Sequence, residues 1–71
     1  MKVYLKAKVV KERLIRKNKD QNWLAEHLGI SPSYISQLMD GSRNPSPDVR
    51  QSFLNIFPDF EFDDLFIVKG K

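Results

Sequence analysis

The chain contains no cysteine, which excludes disulfide staples, thiolate nucleophiles and cysteine-bound zinc. Its single histidine, His27, cannot build a metal site, so no metal and no other cofactor is expected. Glycine is scarce, and Gly29, Gly41 and Gly70 stand apart, so no glycine-rich loop can cradle a phosphate. No nucleophile is spaced against a base, and no carboxylates are paired for acid–base work. An enzyme is therefore not expected, nor is a small-molecule ligand. No apolar run approaches the roughly 18 to 20 residues of a membrane span. The segment Met1-Lys2-Val3-Tyr4-Leu5-Lys6 lacks the apolar stretch of a signal peptide. The expected setting is cytoplasmic, with no membrane partner.

What is present is a short, basic, electrically lopsided chain. Its 71 residues suit one domain, 1–71, whose small core is often supplemented by oligomerisation. The net charge is +3. Lys2, Lys6, Lys8, Lys11, Arg13, Arg16, Lys17 and Lys19 face one acid, Glu12, in the N-terminal third. Asp59, Glu61, Asp63 and Asp64 lie near the other end with no base among them. A basic surface of this kind attracts phosphate, although lysines at helical spacing also simply solvate a face.

Turn and cap signals divide the chain into five helices. The first runs from about Lys6 to Lys17, with Ala7, Val10 and Leu14 on one face, Ile15 beside them and Asn18 as C-cap. Asp20 caps the second, Gln21 to Leu28, and Gly29 ends it. Ser31-Pro32 opens the third, a serine cap followed by proline at the first helical position, and Gly41 stops it after Asp40. Ser46-Pro47 repeats that start for a fourth helix, Asp48 to Phe57, closed by Pro58. A last short helix falls within Phe60 to Phe66. Val3, Tyr4, Ile67 and Val68 are β-formers at the two ends, able to pair as a ribbon or to fray. Trp23 is expected to pack near Tyr4.

The second and third helices meet at Gly29-Ile30-Ser31 with almost no linker. A glycine there can take the positive φ that a sharp turn demands. Ala25 is small enough for close helix approach, and Ile30, Ile35 and Leu38 back the pair. Small residue, glycine four later, branched residue six later and leucine three later is the helix-turn-helix spacing, with a steric reason at each position. The unit spans about 20–40. On the third helix, at about 100° per residue, Ser33, Ser36 and Gln37 share one face, opposite Ile35, Leu38 and Met39. That polar face suits a DNA major groove: Gln37 can pair with adenine through both ends of its amide, and the serines can reach base edges or phosphates. Gln21 and Asn22 open the second helix, where free N–H groups favour an anion. Arg43 and Asn44 follow the third helix and can clamp a neighbouring phosphate. The Tyr34 hydroxyl can do the same, or its ring can lie flat as packing.

Residues Val10 to Leu38 resemble the Cro/C1-type (xenobiotic-response-element type) helix-turn-helix family of phage repressors and small bacterial regulators. The resemblance rests on Lys11-Glu12-Arg13-Leu14, Asp20-Gln21, Leu24-Ala25-Glu26-His27-Leu28-Gly29-Ile30-Ser31 and Tyr34-Ile35-Ser36-Gln37-Leu38, and continues less tightly to about Phe66. It implies an all-α, five-helix lambda-repressor-like DNA-binding domain, here with short β-like terminal segments. It also implies a homodimer on double-stranded DNA with the third helix, about Ser31–Asp40, in the major groove. Gln21 matches the family's phosphate-contacting glutamine, and Ser33, Ser36 and Gln37 match its base-reading positions. Several members carry an arginine at Leu14 paired with a glutamate at Met39. Both positions are apolar here, an exchange that can be neutral or stabilising. Lys19 replaces a residue that is often apolar, which frees it for phosphate, and Pro32 removes one base-contacting side chain. Because the family dimerises through its C-terminal region, Phe57, Phe60 and Phe62 are interface candidates. The expected function is transcriptional regulation by a Cro-like repressor from a bacterium, phage or mobile element. The alternative is a protein-interaction module, an antirepressor or antitoxin, working through the acidic, phenylalanine-rich end.

Overall fold

A computed structural model describes residues 1–70. Five helices, α1 (Ala7–Lys17), α2 (Gln21–Leu28), α3 (Pro32–Asp40), α4 (Pro47–Ile56) and α5 (Phe62–Leu65), lie between strands β1 (Lys2–Leu5) and β2 (Phe66–Lys69). The architecture is all-α with a terminal ribbon. Side-chain caps set three of the helix starts: Asp20 accepts from the Trp23 amide at 2.9 Å, Ser31 from Tyr34 at 3.1 Å and Ser46 from Val49 at 3.3 Å. Asn18 ends α1 in the left-handed conformation with φ 58°, a position an asparagine tolerates.

The two ends pair rather than fray. β1 and β2 run antiparallel, with Lys2 opposite Lys69, Val3 opposite Val68, Tyr4 opposite Ile67 and Leu5 opposite Phe66. Leu5 and Phe66 point into the core, and the tip leaves Ile67 and Val68 exposed. The ribbon leads directly into α1: the Lys6 amide donates to the Leu65 carbonyl at 2.7 Å, and its ammonium donates to the Asp63 carbonyl at 2.7 Å.

Val10 and Leu14 of α1, Leu24, Ala25 and Leu28 of α2, and Ile35, Leu38 and Met39 of α3 meet Val49, Phe53, Phe57, Leu65 and Phe66 in the core. Leu14 and Met39, the positions of the family's ion pair, are both buried. The rings of Phe53 and Phe66 meet edge to face at 5.8 Å, a favoured aromatic geometry.

Three expectations need correction. Phe57 is fully buried as a core residue, not a surface one, whereas Phe60 and Phe62 pack against the same core and keep part of their surface exposed. A fold this small uses these rings to complete its core. Ile15 lies on the outer face of α1, 74% exposed, because Val10 and Leu14 already define the stripe that meets the other helices. Trp23 stacks on His27 at 4.2 Å, one helical turn on, while β1, with Tyr4, packs against α3.

Candidate nucleic-acid interface

The α2–α3 unit is built by its turn. Gly29 takes φ 74°, and the Ile30 amide then donates back to the Ala25 carbonyl at 3.0 Å, closing the end of α2. Ser31 caps α3 two residues later, so no slack separates the helices. Ala25 is buried where the pair crosses, as its small side chain permits.

Ser33 and Ser36 are exposed on α3, and Gln37 and Tyr34 are half-buried beside them. Ile35, Leu38 and Met39 bury the opposite face. The chain after α3 folds back on Gln37: its carbonyl accepts from the Ser42 amide at 3.1 Å and the Arg43 amide at 3.3 Å. Asp40 accepts from the Ser42 amide at 2.8 Å, and hydrogen bonding from Ser42 holds its carboxyl below the usual range. Arg43 therefore returns to α3. Its Nε donates to Gln37 Oε1 at 2.7 Å, and its guanidinium lies 4.6 Å from the Tyr34 ring centroid.

Gln21 and Asn22 begin α2, adjacent to the exposed face of α3. Lys11, Gln21, Ser36, Met39 and Asp40 line a depression of about 220 Å³ where α1, α2 and α3 meet. Gln21 Oε1 is buried without a hydrogen-bond partner, so the Nε2 end of the amide is the one available to an outside acceptor. Lys19 is exposed, with its ammonium 5.6 Å from the Trp23 ring. Asn44 Nδ2 donates to the Val3 carbonyl at 2.8 Å, which ties the loop to the ribbon. The Tyr34 ring lies against the Arg43 guanidinium.

Two juxtapositions escaped the sequence reading. Lys11 belongs to the basic N-terminal third and to the Lys11-Glu12-Arg13-Leu14 stretch, and the fold also brings it into the depression with Gln21 and Ser36. The bond between Arg43 and Gln37 had no signal in helical spacing, because a turn lies between them. The acidic segment lies elsewhere, with α5 packed against α1 and β2. Arg13 joins it to α1 by a two-pronged contact with Asp59 at 3.0 and 2.8 Å.

Among the described residues no histidine, cysteine or carboxylate group is placed to hold a metal. No helix among them is long and apolar enough to cross a membrane. The family model described as helix-turn-helix matches residues 10–58, more than half of the chain. That span runs from α1 through the end of α4 and leaves out the ribbon and α5. No curated protein and no solved structure matches the chain.

Proposed function

The chain belongs to the Cro/C1-type helix-turn-helix family, a family of DNA-binding regulators, and from that premise we propose that residues 1–71 act as one sequence-specific, double-stranded-DNA-binding repressor of the Cro kind. The observation that carries this reading is the exposed face of α3, where Ser33, Ser36 and Gln37 stand on a helix capped at both ends and backed by core contacts. In this reading α3 enters the major groove and those three side chains meet base edges. Gln21, Asn22, Lys19 and Lys11 neutralise or hydrogen-bond flanking phosphates, and Arg43, over the Tyr34 ring, stands beside Gln37 at the edge of the reading face. The protein works by binding and not by catalysis, in the cytoplasm where its DNA partner is found.

Binding as a homodimer, at least on DNA, fits the domain's size. Its extents are 36 × 25 × 20 Å, and half-sites read by such dimers lie one helical turn, about 34 Å, apart. Two domains side by side can present both α3 helices to one face of a duplex. The alternative, an interaction module working through the acidic, phenylalanine-rich end, draws less support, because the family match covers the helix-turn-helix unit and stops at residue 58.

Selection from random duplexes at low and moderate salt, followed by sequencing, tests the proposal. The expected outcome is a two-fold motif with half-sites one turn apart and affinity that falls steeply as salt rises. Gln37→Ala should weaken binding by about 1–3 kcal/mol and relax preference at one base pair per half-site. Absence of binding at low salt would overturn the proposal and favour a protein partner.

A further inference from the structure

The bond between Arg43 and Gln37 fixes which end of the glutamine amide is offered to a base. Arginine has only donors, so the amide atom that meets its Nε at 2.7 Å is the oxygen. Nε2 with its two N–H groups therefore faces away from Arg43. The arrangement lies on the surface but rests on more than one contact. The Ser42 and Arg43 amides are both held on the Gln37 carbonyl, and the guanidinium is stacked 4.6 Å from the Tyr34 ring. Backbone, ring and amide thus fix Arg43 at three points.

A free glutamine reads adenine by accepting from N6 and donating to N7. Here one lone pair of the accepting end is already engaged by a cation, and the same guanidinium carries two further donor groups, Nη1 and Nη2. The combined unit presents donors almost exclusively. Adenine matches these donors only at N7 and sets its own donor, N6–H2, next to a positive charge. Guanine offers two acceptors, O6 and N7, which match.

We infer that Arg43 is a specificity-determining positioning residue that turns Gln37 from a reader of adenine into a reader of guanine. The inference rests on the DNA-reading role proposed above and adds the base that the pair selects.

The test combines selection from random duplexes for wild type, Gln37→Ala, Arg43→Ala and Arg43→Lys with side-chain amide NMR of the free proteins. Gln37→Ala identifies the base pair that residue 37 reads. Wild type is expected to prefer guanine there by about tenfold or more, within the range of a good bidentate contact. Arg43→Ala is expected to move the preference to adenine, and Arg43→Lys, which keeps a cationic donor, to retain guanine in part. A loss of general phosphate attraction would instead weaken all sequences alike. In the free protein, the Gln37 side-chain amide resonances should shift on Arg43→Ala. Adenine selected by wild type, a base preference unchanged by Arg43→Ala, or unshifted Gln37 amide resonances would each overturn the inference while leaving DNA binding intact. Wild type without any selected motif would overturn the DNA-reading function itself.

Discussion

Gly29 and Gln37 illustrate two separable kinds of residue. A Cβ built on Gly29 meets nothing within 4 Å, so the position is reserved for glycine by its φ of +74° alone. Gly29→Ala should therefore cost about 1–2 kcal/mol, the penalty of a left-handed residue, and Gly29→Asn less. Urea unfolding of the two variants checks the order; a neutral Gly29→Ala would mean that the turn relaxes. Gln37 lies outside the core, so removing its amide should leave unfolding within about 0.5 kcal/mol of wild type while DNA affinity falls. Stability and binding measured on the same pair of variants thus distinguish the turn from the reading face. Both residues were legible in the sequence, Gly29 from its place after an apolar stripe and Gln37 from its polar face. The partner of Gln37 was not, since Arg43 reaches it only because the chain reverses at Gly41.

Between elements, the caps and one ion pair do different work. Ser31 ends the turn and starts α3 in a single residue, and Ser31→Ala should cost about 1 kcal/mol by leaving the Tyr34 amide unpaired. The Arg13–Asp59 contact links α1 to the turn after α4, with the guanidinium 3.9 Å from the Phe60 ring centroid. The hydrogen bond from Arg13 holds the Asp59 carboxyl below its usual range, against a slight opposing effect of burial. Its folded-state value is therefore lower than its unfolded value near 3.9. The stabilisation is complete above that unfolded value and disappears as pH falls through the depressed folded value. Asp59 is exposed, so the contribution is small and weakens with salt. Thermal unfolding between pH 2 and 5 should show a shallower acid loss for Asp59→Asn than for wild type, and equal slopes would remove the pair from the account. The helix boundaries were read from local cap chemistry, whereas this pair spans 46 residues and no periodicity announces it.

Over the whole molecule, a small core supports a charged surface. Stability of about 4–10 kcal/mol is ordinary for this length. Phe53 is fully buried and touches the Phe66 ring, so Phe53→Ala should cost about 3–5 kcal/mol and leave little folded protein at physiological temperature. Circular dichroism against temperature measures that loss directly. Lys11→Ala and Lys19→Ala should spare the fold and each reduce the slope of log affinity against log salt by about 1, uniformly across DNA sequences. The sequence alone determined the helix order, the α2–α3 turn and the polar face of α3. Caps, glycine φ and the spacing of apolar residues all act over a few residues, where the chain's own chemistry decides. Tertiary structure decided that Phe57 is core and Ile15 is surface, that the chain ends form a ribbon, that Asn44 tethers it, and that Arg43 holds Gln37. Those outcomes depend on which faces meet once the helices pack, and packing joins groups whose separation along the chain carries no pattern.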